Sequence, residues 1–276
     1  MTYKTVMVNL ALDRANDARL EIAGQLVERF NAHAIGIAAG EFSPPLYFTT
    51  GEQAQQIIDQ GRAAIKNRVA EVEAQFRAAM QNRAAAVEWR SAEDFPTRFV
   101  IQHARAADIM VVGGEAGEAL ADPFTETNPN DLVMQLGRPA LVVPDSCNWL
   151  DLRSVLIAWK DTPEARRAIV DAMPILRQAK NVAVLEIIEQ EPNRLAALSG
   201  IRDVAVWLSR HGVVASEQVP AEKGNAAEQI ERIASEVGAG VVVAGAYGHS
   251  RLREWVFGGV TRRLLNPSDR CSLLSR

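Results

Sequence analysis

Short apolar runs alternate with longer amphipathic segments along the chain, which predicts parallel α/β units. The first run, KTVMVNLAL at residues 4–12, is typical of a buried strand. An amphipathic helix is predicted from Arg14 to Asn31, because apolar residues recur at helical spacing between Leu20 and Phe30. The other elements predicted in this half are the strands AHAIGIAAG, AVEWRS, ADIMVVGG and RPALVVP, and helices from Glu52 to Met80 and from Phe95 to Ala106.

The second half of the chain repeats this alternation. It opens with the strand RSVLIAWKD at residues 153–161. A helix follows, which Thr162 or Asp161 can cap and in which Pro163 suits the first turn. The remaining elements are the strands NVAVLEIIE, VVASEQV, VVVAG and RCSLLSR, and helices from Arg194 to Arg210 and over NAAEQIERIASEVGAG.

The two halves align as a tandem duplication, which predicts two doubly wound, open, parallel-type sheets packed as a pseudo-dimer. The predicted domains are residues 1–146, called the first half below, and residues 152–276, called the second half. The linker DSCNWLDL, residues 145–152, is polar enough to be a surface connection. The aligned pairs are Val6 with Val155, Gly114 with Gly245, and Arg138 with Arg270.

Composition narrows the class of protein. The 276 residues are 48% hydrophobic and 23% charged, which is ordinary globular composition. The net charge of -4, without a basic block, does not favour a nucleic-acid partner. No apolar run approaches the roughly 18 residues that span a bilayer, and the N-terminus lacks a signal-peptide pattern. We therefore expect a cytoplasmic protein without a membrane partner.

The cysteines and histidines point to no metal or disulfide chemistry. Two cysteines fit neither a disulfide framework nor a zinc site, and the four histidines lack metal-ligand spacing. Cys147, in the linker, is predicted to be the more exposed thiol, with nothing beside it that lowers its pKa strongly. Cys271 is predicted to pack as a small apolar residue.

A glycine-rich stretch follows the strand VVVAG and carries the main functional signal. In AGAYGHSRLREWVFGGVTRRLL, Gly245 and Gly248 let the backbone turn tightly and approach a ligand. Gly258 and Gly259 precede the predicted helix VTRRLL, whose free N–H groups suit an anion such as phosphate. The pattern is neither the dinucleotide fingerprint nor a Walker loop. A simpler interpretation is that these glycines only shape a turn and a helix entry.

The spacing G-x2-G-x9-G resembles the nucleotide-binding signature of the universal stress protein family, G-x2-G-x9-G-(Ser/Thr), and the likeness in strand order covers essentially the whole chain. The resemblance implies an adenine-nucleotide-binding α/β sandwich whose halves pair through their last strands within one chain. It implies ATP or another adenine nucleotide as ligand, with Mg²⁺ as an accompanying ion. A homodimer is also expected, because a parallel α/β unit leaves exposed strand edges.

The family's binding residues carry over to the second half with two departures. Gly259 stands where ATP-binding members have Ser or Thr, and Lys160 stands where an Asp normally faces the nucleotide. Trp159, beside Lys160, can either wall the adenine pocket or fill the core. The residues that match nucleotide-binding positions are Gly245, Gly248, Gly258, Val260, Thr261 and, for a backbone contact to adenine, Ile187.

The first half departs further from the signature. Nine residues after Gly117 come Thr127 and Asn128, with no glycine. Asp122, Glu126 and Asp131 make the expected phosphate edge acidic, and carboxylates there repel phosphate. We therefore expect the first half to be a structural or regulatory partner that does not bind ATP.

Three functions remain open from the sequence. The first is a regulatory, stress-response binding protein that is no true enzyme and holds an adenine nucleotide in its second half. The second is a nucleotide-free scaffold that binds another small molecule or a protein in the same cleft, an alternative that Gly259 and Lys160 favour. The third is a weak ATPase, against which no general base or acidic pair adjoins the glycines in sequence.

Overall fold

The structure is a computed structural model that describes residues 2–44, 51–115, 122–188, 194–220, 224–247, 259–266 and 269–276, apart from the side chains of residues 52 and 53. The strands are β1 Thr5–Asn9, β2 His33–Ala39, β3 Ala86–Ala92, β4 Ile109–Gly113, β5 Ala140–Val143, β6 Ser154–Trp159, β7 Asn181–Glu186, β8 Ala215–Gln218, β9 Val241–Gly245 and β10 Cys271–Ser275. The helices are α1 Asp17–Phe30, α2 Gly51–Met80, α3 Pro96–His103, α4 Pro129–Gln135, α5 Pro163–Leu176, α6 Arg194–Arg210, α7 Ala226–Glu236 and α8 Gly259–Leu265.

Local signals account for most element boundaries. Helix α5 begins as predicted, with Pro163 in the first turn and Thr162 Oγ1 accepting a hydrogen bond from Ala165 N at 3.3 Å. Helix α4 was not predicted, although it carries the same signals. The side chain of Asn128 caps it, and Pro129 occupies its first turn.

The ten strands form one continuous sheet in the order β3-β2-β1-β4-β5-β10-β9-β6-β7-β8. All neighbouring strands run parallel except β5 and β10, which pair antiparallel at the centre. Each half thus contributes five parallel strands in the same order, which confirms the predicted fold class. The two predicted sheets are joined edge to edge within the chain through their last strands.

The strand register corrects the repeat alignment by one residue. Val6 of β1 pairs with Ile109, the first residue of β4. Val155 of β6, the equivalent of Val6, pairs with Val241, the first residue of β9. Strands β4 and β9 therefore align from their first residue to their last. Their last residues are Gly113 and Gly245. Gly113 is therefore the equivalent of Gly245, and the prediction that Gly114 fills this role is wrong. The sequence favours Gly114 because Gly114 and Gly117 have the same spacing as Gly245 and Gly248, and only the strand register selects Gly113.

The central strand pair is self-complementary. Leu141 and Leu273 occupy equivalent positions in the two repeats and face each other directly. The pair on one side of the leucines becomes the pair on the other side when the two repeats are interchanged. A pseudo-twofold axis therefore passes between the two leucines. These flanking pairs are Val142 with Ser272 and Ala140 with Leu274.

Helices cover both faces of the sheet. Residues of α1, α2, α5 and α6 pack into one apolar cluster, called the α1/α5 face below. Residues of α3, α4, α7 and α8 pack into the other, called the α7/α8 face. None of the described helices combines the length and the apolar character needed to cross a membrane.

The linker is a surface connection only in part. Asp145, Ser146, Asn148 and Trp149 are exposed, as predicted, whereas its apolar residues Leu150 and Leu152 are buried. Leu150 N donates a hydrogen bond to Gln25 Oε1 of α1 at 2.8 Å, which fixes this part of the linker on α1.

Candidate functional site

The carboxyl ends of β6, β7 and β9 lie at one edge of the sheet and form what we call the second-half cleft. These parallel strands end at Trp159, Glu186 and Gly245. Connections from β6 lead to β7 on one side, whereas β9 pairs with β6 on the other side. The strand order therefore reverses between β6 and β9, and such a switch point is where open α/β sheets bind ligands.

Gly245 permits close packing between β9 and the start of α5. A Cβ atom at this position would lie 2.4 Å from Ala165 N and 2.6 Å from Glu164 C. Both are backbone atoms, so a side chain here requires the helix to move. This glycine therefore has a structural role whether or not it also faces a ligand.

The described candidate residues pack on both faces of the sheet. Trp159 is 8% exposed and packs on the α1/α5 face, and its buried Nε1 has no hydrogen-bond partner among the described residues. Ile187 packs against the α7/α8 face, as do Tyr247 and Val260. Trp159 thus fills the core on one side, and the three others share the opposite side.

Charged side chains surround the mouth of the second-half cleft. Lys160 is exposed, one residue beyond the end of β6. Glu186 was not predicted as a site residue, because the predicted strand NVAVLEIIE continues to Glu189, whereas β7 ends at Glu186. Burial raises the pKa of Glu186, and the nearby Asp161 raises it further, while Lys160 acts in the opposite direction.

The remaining candidates belong to the glycine stretch itself. Gly259, Val260 and Thr261 form the first residues of α8, with Gly259 exposed and the other two half-buried. Gly248 and Gly258 lie outside the described residues. The structure therefore describes both ends of the signature and not its middle.

Tyr247 is a further residue that the sequence did not single out. Its backbone has a φ of 58°, in the left-handed region that is costly for a residue with a side chain. Its hydroxyl donates to Asn130 Oδ1 of α4 in the first half at 2.6 Å. Strained backbone of this kind tends to occur at functional sites. No local sequence signal identifies a contact between residues 117 positions apart.

The equivalent edge of the first half, the first-half cleft, is filled by Arg19. This side chain is 3% exposed and donates to the carbonyl oxygens of Asn9 and Ala15 at 3.2 and 3.0 Å. Its guanidinium carbon lies 3.2 Å from the place of a Cβ on Gly113. Its Nε has no hydrogen-bond partner among the described residues, and burial lowers the pKa of Arg19 to about 10.

One residue of the acidic segment 122–131 also reaches the first-half cleft. Thr127 Oγ1 donates to Asn9 Oδ1, at the end of β1, at 2.8 Å, whereas Asp122 Oδ1 accepts from Phe124 N at 3.0 Å in an exposed part of the segment. The first-half cleft is thus occupied by the chain's own side chains. Arg19 is the third residue of α1, and the third residue of α5, the equivalent helix of the second half, is Ala165.

Other described features lie away from the second-half cleft. Two open depressions of about 600 and 340 Å³ flank β3 in the first half and contain no candidate residue. In the part of the chain that the structure describes, no three His, Cys, Asp or Glu side chains gather as metal ligands would.

Solved structures show which known proteins share this fold. No protein-family model matches the chain, and no curated protein has significant sequence similarity to it. A universal stress protein from Archaeoglobus fulgidus superposes with a TM-score of 0.76 at 12% identity, over 99% of this chain and 96% of that one. A putative universal stress protein from Pseudomonas aeruginosa gives 0.62 at 12% identity, over 99% and 93%. The chain has the universal stress protein fold along its length, which confirms the fold that the resemblance implied.

Proposed function

We propose that this chain, which has the fold of the universal stress proteins, is a regulatory binding protein that holds an adenine nucleotide in its second half. The observation that carries the proposal is the position of the glycine signature. The stretch begins at Gly245, where β9 ends beside β6 at the switch point of the sheet. Ile187 and Val260, two of its predicted contacts, share one face of that sheet.

The described residues fit a weakly held polyanion. Lys160 is exposed at the cleft mouth, and Thr261 supplies a hydroxyl in the first turn of α8. Glu186 and Asp161 bring negative charge to the same region and oppose phosphate binding. Mg²⁺, where it accompanies the nucleotide, would then be held mainly by the phosphates, as is usual for this ion.

The first half takes the role of a structural partner in this proposal. Arg19 occupies its cleft, and Tyr247 connects the signature to α4 of the first half. The division into domains 1–146 and 152–276, the cytoplasmic location and a homodimer belong to the same proposal. A homodimer is supported by the outer strands β3 and β8, which each have one neighbour in the described sheet.

Calorimetric titration with ATP, ADP and AMP, with and without Mg²⁺, tests the function. The proposal predicts one site per chain. Thr261→Val, which keeps the shape and removes the hydroxyl, should weaken binding by about 10-fold or more, as expected for a hydrogen bond to a charged phosphate. Thr127→Val, at the first-half cleft, is the matched control and should leave the affinity unchanged.

The other two functions give different results in the same experiment. A complete lack of heat with all three nucleotides contradicts the proposal and favours the nucleotide-free scaffold. Steady release of ADP, measured in parallel by a coupled assay, favours the weak ATPase. Equal losses in the two threonine variants would place the ligand elsewhere in the chain.

A further inference from the structure

The two cysteines of the chain contact each other, although 124 positions separate them. Cys147 Sγ and Cys271 Sγ lie 3.8 Å apart, and the side chains are 8% and 0% exposed. This corrects the prediction that Cys147 is an exposed thiol. The contact is invisible in the sequence because it depends on the pairing of β5 with β10.

The pair lies at the junction between the two halves. Cys271 is the first residue of β10, next to the central pairing of Ser272 with Val142. Cys147 follows the end of β5 by four residues, and its N–H donates to Pro144 O at 3.0 Å. One sulfur is therefore fixed in the middle of the sheet, and the other belongs to a loop.

The geometry is close to that of a disulfide. A disulfide bond has an S–S distance of about 2.05 Å, so the two sulfur atoms must approach by about 1.8 Å. A loop residue can make this movement more easily than a residue in a central strand, because fewer packed atoms have to follow. We therefore expect Cys147 to move toward Cys271.

The two thiols differ in reactivity. The hydrogen bond with Cys271 lowers the pKa of Cys147 to about 7, against its burial. The same contact and complete burial raise the pKa of Cys271. Thiolates are the nucleophilic form of cysteine, so Cys147 is the group that an oxidant meets first and Cys271 is the group that resolves it. The residue that lowers the pKa of Cys147 is 124 positions away, whereas the prediction considered only the residues that flank it.

We propose that Cys147 and Cys271 are a site of reversible oxidation, at which a peroxide converts the two thiols into an intrachain disulfide. The Cys147 thiolate attacks one peroxide oxygen, the O–O bond breaks, and hydroxide leaves to give a sulfenic acid. The sulfur of Cys271 then attacks the sulfenic sulfur, the thiol proton of Cys271 passes to the departing hydroxyl, and water leaves. Overall, two thiols and one hydrogen peroxide give one disulfide and two waters, and a dithiol reductant reverses the change.

The disulfide adds a covalent link at the junction of the two halves. In the reduced protein, hydrogen bonds between β5 and β10 and packed side chains join the halves. The new bond ties the linker to β10 and closes a loop of more than 100 residues, which restricts the unfolded chain. The oxidised protein should therefore melt about 5–10 °C higher than the reduced protein.

Hydrogen peroxide treatment of the full-length chain, followed by mass spectrometry under non-reducing conditions, tests the proposal. The expected product is a monomeric chain lighter by two hydrogens, with peptides containing Cys147 and Cys271 linked to each other. Dithiothreitol should restore both thiols and the lower melting temperature. The wild-type result decides the proposal even if a variant folds poorly.

Variants separate the two roles. In Cys271→Ser, which keeps a hydrogen-bond donor beside Cys147, peroxide should leave a sulfenic acid at Cys147 that dimedone captures, whereas in Cys147→Ser it should leave Cys271 unmodified. Three outcomes overturn the proposal. They are two unmodified thiols at peroxide levels that oxidise free glutathione, over-oxidation of Cys147 without a link to Cys271, and a disulfide that joins two chains.

Discussion

The hydroxyl of Tyr247 donates a hydrogen bond to Asn130 Oδ1 at 2.6 Å, and this bond ties the second-half glycine stretch to the first half. Asn130 in turn donates its amide to Glu115. The backbone N–H of Glu115 donates to the carbonyl oxygen of Leu265, at the end of α8, at 3.1 Å. Both described ends of the signature are therefore anchored on the first half.

A double-mutant cycle measures this connection. Tyr247→Phe removes the hydroxyl and keeps the ring, so we expect a loss of about 1 kcal/mol in the free energy of unfolding. In combination with Asn130→Ala, the two losses should not add, and the coupling energy should be about 0.5–1.5 kcal/mol. Urea denaturation of the four proteins gives the number. Strict additivity would mean that the bond contributes nothing to the junction.

The contact between Gly245 and α5 predicts a steep cost for a single methyl group. Gly245→Ala places Cβ against the backbone of Ala165, so the helix must shift, and unfolding should become easier by about 2 kcal/mol. Gly259→Ala is the matched control, since no atom lies within 4 Å of its Cβ position. We expect it to be neutral or slightly stabilising in thermal denaturation, because alanine favours a helix. Equal effects would contradict the close packing at Gly245.

The partly buried carboxyl of Glu186 predicts that the free energy of unfolding depends on pH. Because burial raises its pKa in the folded state, its contribution to stability is fully present below the unfolded pKa and is lost as the pH rises through the folded pKa. Glu186→Gln should match the wild type near pH 4 and become more stable toward pH 7, by no more than about 1 kcal/mol because the carboxyl is only partly buried. Glu71→Gln, on the exposed side of α2, controls for net charge.

The same substitution should strengthen anion binding. Removing a negative charge from the cleft mouth favours a phosphate-bearing ligand, so Glu186→Gln should lower the ATP dissociation constant several-fold at neutral pH. The gap between variant and wild type should shrink as the pH falls and Glu186 takes up its proton. If the ratio of the two dissociation constants stayed the same across pH, the charge of Glu186 would not act on the bound ligand.

The symmetric pairing of Leu141 with Leu273 predicts the behaviour of the second half alone. A fragment of residues 148–276 exposes β10, whose register is self-complementary, so two copies should pair with Leu273 facing its own equivalent. Light scattering after gel filtration should give twice the fragment mass. A folded, monomeric fragment would contradict the role of this edge.

The fold was largely predictable because its signals are local. The alternating apolar runs and the cap at Thr162 mark the elements, and duplication of the pattern predicts two equal halves. Helix α4 was not predicted, although Asn128 can cap it and Pro129 suits its first turn, because this segment was considered only for its acidic charge. That signal was present in the sequence and could have been used.

The details of the clefts depend on contacts that span the chain. Arg19 fills the first-half cleft because α1 brings it beside Gly113, and its helical position gives no sign of this. The contact of Cys147 with Cys271 and the bond of Tyr247 to Asn130 both require the central pairing of β5 with β10. Such pairs cannot be derived from the spacing of residues along one sequence.

Hydrogen–deuterium exchange with and without saturating ATP tests the central claim most directly. We predict protection at the ends of β6, β7 and β9 and in the first turn of α8, with no change around Asn9, Gly113 and Thr127 in the first half. Protection centred on the first-half residues, or none at all under conditions where titration shows binding, would contradict the claim that the second half holds the nucleotide.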